Sequence, residues 1–152
     1  MNTRGTHANP FRILLAEDNP GDADLLIEAF KRLKTPITTS VVVDGEDALA
    51  FLHRTGEYKE APRVDLIVLD LNLPKMNGRE VLQEIKFHKE LLRIPVVVFS
   101  SSSAEHDLLD CYELHANGFM TKPVDLASYF SLAGDIERYW LQAAKLPARL
   151  AD

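Results

Sequence analysis

The stretch Leu66-Ile67-Val68-Leu69-Asp70 runs four aliphatic side chains directly into a carboxylate. A strand with one wet face alternates apolar and polar residues, so an unbroken apolar run fits a strand covered on both faces, as in a parallel sheet. Runs of the same kind flank it at Phe11–Ala16, Thr38–Val43, Val96–Ser100 and Gly118–Thr121. The segments between them have helical character, at Pro20–Leu33, Glu46–Arg54, Arg79–Phe87, Ser103–Leu114 and Leu126–Leu146. Leu25, Leu26, Ala29 and Leu33 fall on one face of the first. Leu126, Tyr129, Phe130, Ala133, Ile136 and Trp140 do so on the last. Strand and helix alternating in this way predict a doubly wound α/β fold, a five-stranded parallel sheet with helices on both faces.

Local signals agree. Asn19 precedes Pro20, a residue favoured at the first helical position. Ser102 and Glu105 have the spacing of a capping box, and Asp125 stands where an N-cap is expected. Pro62 and Pro95 come shortly before strands, where a missing N–H costs little. The 152 residues amount to one domain, and a domain of that size buries roughly two-thirds of the surface its unfolded chain exposes. The expectation is a folded unit over residues 11–146, a flexible N-terminal arm at 1–10 and a tail at 147–152.

Seventeen Lys and Arg against 23 Asp and Glu give a net charge of −6. That balance argues against nonspecific affinity for nucleic acid or an anionic membrane, both polyanions. A single cysteine, Cys111, excludes an intramolecular disulfide framework and suits a reducing compartment. No run approaches the roughly 18 apolar residues of a membrane span, and the start MNTRGTHANPF lacks the apolar core of a signal peptide. A cytoplasmic location is expected.

In an open α/β sheet, ligands bind outside the carboxyl ends of the strands. Those ends carry Glu17 and Asp18, then Asp70, Ser100 and Lys122. Carboxylates crowded together repel, so a cation or a proton must intervene. Hard oxygen ligands without thiolate or imidazole select Mg²⁺ or a similar ion such as Mn²⁺. A metal, an ammonium and a hydroxyl together suit a phosphoryl group, whose transfer depends mostly on positioning and charge stabilisation. No Gly-rich phosphate loop is present, so the acceptor is a carboxylate or the hydroxyl. Asp70, central and following the most apolar strand, is the best nucleophile.

The segments AEDNPGD, LDLNLPKMNG, IPVVVFSSS and GFMTKPVD, in that order at successive strand ends, resemble the receiver domain of two-component response regulators. The resemblance covers residues 11–140. The EDNPGD start, the NLPKMNGREVL run and the C-terminal IERYWLQ look most like the stand-alone regulators paired with phytochromes. It implies a flavodoxin-like sheet of strand order 2-1-3-4-5. Asp70 then resembles the phosphoacceptor for a sensor histidine kinase. Glu17 and Asp18 resemble the acidic pair that, with Asp70 and the backbone carbonyl of Asn72, holds Mg²⁺. Lys122 resembles the lysine that pairs with the phosphoryl oxygens, and Ser100 the switch hydroxyl. Phe119 stands at the aromatic switch position, and the Lys122–Pro123 bond is expected to be cis. Serine stands where threonine is commoner, and phenylalanine where tyrosine is frequent.

Plainer readings sit beside these. Glu17 and Asp18 alone would serve as helix caps, Ser101 to Ser103 read as a polar turn, and Phe119 reads equally well as core packing. Cys111 reads as a small buried hydrophobe. His7, His53, His88, His106 and His115 show no ligand spacing. An Mg²⁺-dependent Toprim-like nucleic-acid enzyme would want a D-x-D pair, where this chain has Asp70-Leu71-Asn72, and a basic surface. In a flavodoxin-like FMN carrier, Glu17 and Asp18 would repel the phosphate. Too few residues follow the last helix for a DNA-binding domain, so output by protein contact around the fourth helix, fifth strand and fifth helix is expected. A helix of about 20 residues spans about 30 Å and overhangs short strands, so Tyr139 and Trp140 either form a homodimer contact or fold back to cap the core.

Overall fold

The computed structural model describes residues 4–152. Residues 1–3 of the expected N-terminal arm lie outside the described residues. Five strands, β1 (Phe11–Ala16), β2 (Ile37–Val42), β3 (Leu66–Leu69), β4 (Val96–Ser100) and β5 (Gly118–Thr121), form one parallel sheet of order β2-β1-β3-β4-β5. The helices are α1 (Pro20–Lys31), α2 (Gly45–His53), α3 (Gly78–Lys86), α4 (Glu105–Glu113) and α5 (Leu126–Ile136).

Side chains alternate across the pleat, and that alternation divides the core in two. Ile13, Leu15, Leu66, Val68, Val97 and Phe99 face α1 and α5, where they meet Leu26, Phe30, Tyr129 and Ile136. Leu14, Ala16, Ile67, Leu69, Val96 and Val98 face the opposite layer, with Phe51, Val81, Leu82, Ile85 and Cys111. Both faces of the three central strands are therefore dry, which is why their sequences lack polar alternation. On α1 the buried stripe is Ala23, Leu26, Ala29 and Phe30, while Leu25 is exposed. On α4 only Cys111 is buried.

Three local expectations are corrected. The capping box forms not at Ser102 and Glu105 but at Asn77 and Glu80, at the start of α3. Helix α4 begins only at Glu105, with Ala104 as an N-cap that offers no side-chain acceptor. Ser102 stands too far upstream, and its hydroxyl instead bonds Asp107 and accepts from Ala104 N–H. Among the described residues no peptide bond is cis, so Lys122–Pro123 is trans. The two X–Pro isomers differ by only about 0.5–1 kcal/mol, so the dipeptide itself does not select one.

The last helix does not run on to Leu146. The α-helix ends at Ile136, a π-helical segment follows over Glu137–Ala143, and the backbone is extended from Ala144. Pro147 disfavours helix at the residue before it. A long-range ion pair then captures the tail. Arg149 places Nε and Nη2 on the two oxygens of Asp65, each at 2.8 Å, and Arg4 Nη1 reaches the same carboxylate at 2.8 Å. Arg12 N–H completes the set at 2.8 Å. Asp65 precedes β3, at the edge of the sheet opposite Asp70, and its side chain is fully buried. Arg4, within the expected N-terminal arm, thus contacts both Asp65 and the C-terminal tail. Trp140 is half-buried against the α1/α5 core, while Tyr139 is exposed.

Removing one member of a buried ion-pair cluster leaves the others desolvated and uncompensated. Asp65→Ala should therefore lower the free energy of unfolding by about 3 kcal/mol, read by urea denaturation, and should loosen both ends of the chain.

Candidate acidic phosphoacceptor site

The sheet register assembles the site. Ala16 pairs with Leu69 across β1 and β3, so Glu17 and Asp70 leave adjacent strand ends together. Glu17 N–H donates to Val42 O and Asp70 N–H to Ala16 O, holding both residues in the sheet's frame. Ser100 pairs with Thr121, and Lys122 N–H donates to Ser100 O. This is the switch point of the topology, where β1 connects onward to β2 on one side and lies beside β3 on the other.

The loop behind Asp70 is tightly packed. A Cβ on Gly78 would lie 2.2 Å from Asp70 O and 2.6 Å from Leu71 Cα, so the first turn of α3 rests directly on the phosphoacceptor candidate's backbone. Lys75, between them, adopts the left-handed region with φ of 67°. A non-glycine residue held there stores strain of the kind that concentrates at functional sites.

Glu17 and Asp70 are buried, and Asp18 is exposed at the mouth. The three carboxylates offer oxygens all within 4.8 Å of one another. Lys122 Nζ lies 2.7 Å from Glu17 Oε1, 2.8 Å from Asp22 Oδ2 and 3.0 Å from Asp70 Oδ2. The contacts to Asp22 and Asp70 are hydrogen bonds, whereas Glu17 Oε1 is paired by charge alone and has no hydrogen-bond donor. Glu17 Oε2 accepts from Asn19 N–H at 3.1 Å, and Asp70 Oδ1 from Asn72 N–H at 3.0 Å. A buried carboxylate oxygen without a donor, in an all-oxygen group open at one side, fits a hard divalent cation.

Electrostatics follow from burial. Desolvation raises the Glu17 pKa to about 7, helped by the neighbouring Asp70 and opposed by Lys122. Burial acts to lower the Lys122 pKa, but the carboxylates of Asp22, Glu17 and Asp70 around it outweigh that and hold the ammonium above its ordinary value. Ser100 is fully buried; among the described residues its hydroxyl has a single hydrogen-bond partner, the Ser102 N–H at 3.1 Å. That bond engages the hydroxyl within its own loop. Phe119 is half-buried against the α3 side of the core. Glu17, Asp18, Asp70, Asn72 and Lys122 are thus brought together, and Ser100 and Phe119 stand alongside on β4 and β5. Asp22 was not foreseen: in the first turn of α1 it reads as a favourable helix-dipole charge, although it closes the AEDNPGD segment quoted above.

A carboxyl whose pKa rises on folding contributes stability that is complete below its unfolded value, 4.5, and is lost as pH rises through about 7. Lys122, shifted upward from 10.5, does not change state in that window. In metal-free buffer, Glu17→Gln should therefore stabilise the protein at pH 8 and give no gain at pH 4.5, read by denaturant unfolding in the presence of a chelator.

The chain is similar in sequence and fold to known proteins. Residues 13–132 match the response regulator receiver domain family. Response regulator Rcp1 of Synechocystis is 46% identical over 139 residues, covering 91% of this chain and 95% of that protein. The crystal structure of the phosphorylated cyanobacterial phytochrome response regulator RcpA superposes with a TM-score of 0.87 at 47% identity, covering 91% of this chain and 99% of that one. The Mn²⁺-bound form of Rcp1 gives 0.86 at 46% identity, covering 91% and 100%. These matches favour neither the Toprim-like nor the flavin-carrier reading. Four motifs at four strand ends, one acidic pocket with its lysine, and relatives aligned over nine-tenths of the chain converge on a single assignment: the chain belongs to the response regulator receiver domain family.

Proposed function

We propose that Asp70 accepts a phosphoryl group from the phosphohistidine of a sensor histidine kinase, in an Mg²⁺-dependent reaction, and that the chain signals by protein contact. The observation that carries this is a buried Asp70 carboxylate held 3.0 Å from the Lys122 ammonium beside the Glu17–Asp18 pair. One Asp70 oxygen attacks phosphorus. The phosphorus–nitrogen bond breaks, its electron pair returns to the imidazole, and an acyl phosphate forms. Glu17, Asp18, Asp70 and the Asn72 carbonyl would hold Mg²⁺, which neutralises charge on the phosphoryl oxygens when bound. Lys122 supplies the second positive charge. Ser100 turns from Ser102 N–H toward a phosphoryl oxygen, and Phe119 moves inward behind it. Phosphorylation from small donors and dephosphorylation are catalysed by the same groups.

A phytochrome-type kinase is the proposed donor, on the strength of RcpA and Rcp1. The response regulator RPA3017 in red light signalling of R. palustris, superposing at 0.84 with 26% identity over 91% of this chain and 99% of that one, agrees. Among the described residues no helix is long and apolar enough to cross a membrane. With the acidic charge and lone thiol, a cytoplasmic protein without nucleic-acid or membrane partners is the proposed setting. The exposed Tyr139 ring, stacked edge-on against Trp140 with centroids 4.8 Å apart, supports the proposed homodimer contact.

Incubation with acetyl phosphate and Mg²⁺ should add one phosphoryl group by intact mass. Asp70→Asn should add none, and chelation should abolish the gain. Lys122→Ala should slow it roughly a hundredfold, the usual scale for losing one charge-stabilising donor. Light scattering should report a dimer that Tyr139→Ala weakens; a monomeric wild type would remove that contact.

A further inference from the structure

An acid in the first turn of α1 is bonded to the site lysine without belonging to the metal-holding group. Asp22 Oδ2 accepts from Lys122 Nζ at 2.8 Å, shorter than the 3.0 Å bond to Asp70. Asp22 is absent from the carboxylates that converge for a cation. Its backbone is fixed, because its N–H donates to the Asn19 side chain that caps α1. Lysine is a flexible stem with three donors on a point charge, so its ammonium has no preferred position of its own. That ammonium also sits 2.7 Å from Oε1 of Glu17, one of the three converging carboxylates.

We propose that Asp22 is a positioning residue that holds the Lys122 ammonium through a carboxylate outside the metal-holding group, so that the ammonium stays in place when a cation takes Glu17 and has an N–H free for a phosphoryl oxygen. The assignment rests on the phosphoacceptor reading of Asp70. When a cation takes Glu17, the lysine gives up one of its three charge partners and keeps Asp22 whether or not Asp70 is also engaged. When Asp70 is modified, the Asp22 bond still fixes the direction from which the ammonium reaches the new oxygens. Aligning a charge in advance is the usual route by which a group remote from the reacting atoms influences rate.

The test is a double-mutant cycle on the full chain, with two readouts. Phosphorylation by acetyl phosphate at saturating Mg²⁺, followed by intact mass, should be about tenfold slower in Asp22→Ala. Asp22→Asn, which keeps an oxygen acceptor, should recover most of the rate. In a Lys122→Ala background the Asp22→Ala change should have little further effect. Mn²⁺ affinity, read by electron paramagnetic resonance without any phosphoryl donor, should fall several-fold more on Asp22→Ala when Lys122 is present than when it is alanine. Equal losses in both backgrounds, or an Asn variant as slow as the Ala variant, would overturn the proposal. A wild type that takes no phosphoryl group would remove the Asp70 reading instead, and the Mn²⁺ cycle would still decide the role of Asp22.

Discussion

Everything at the carboxyl edge of the sheet depends on one ammonium. Glu17 and Asp70 are buried side by side because the β1–β3 register puts them there, and two carboxylates at that range cannot both ionise without a cation between them. Lys122 meets that need from β5, on the far side of β4. The fold therefore has to bring two strand ends and the first turn of α1 to within about 3 Å of one nitrogen carried by a third strand end, as the site distances record. Parallel strands achieve this because all their carboxyl ends lie on the same edge.

That constraint explains the surrounding packing. The loop from Asp70 to Gly78 must turn sharply while leaving the carboxylate pointing into the pocket. Lys75 takes up the turn in a left-handed conformation, and Gly78 lets α3 press against the backbone of Asp70 and Leu71. Gly45 plays the same part on the other flank, where a Cβ would lie 1.8 Å from Met76 O. The site is tightly packed behind Asp70 and exposed at Asp18.

The strands were legible in the sequence to within a residue because burial on both faces suppresses polar alternation, as in Leu66 to Leu69. The site residues were legible because a parallel topology turns strand ends into neighbours. Features set by distant partners were not. Ser102 and Glu105 have the spacing of a cap, but Asp107 claims the serine hydroxyl. The end of α5 has helical periodicity through Trp140, yet Arg149 draws the tail onto a carboxylate 84 residues away in the chain. Asp22 looked like an ordinary first-turn acid because nothing local reveals a lysine 100 residues on.

Helix α4 differs from its neighbours in burying a single side chain, Cys111, where α1, α2 and α3 each bury four residues. Elements with few buried apolar contacts open most readily without global unfolding. Amide protons of α4 should thus exchange with deuterium well before those of β3, which places a readily displaced helix directly after the strand that ends in Ser100.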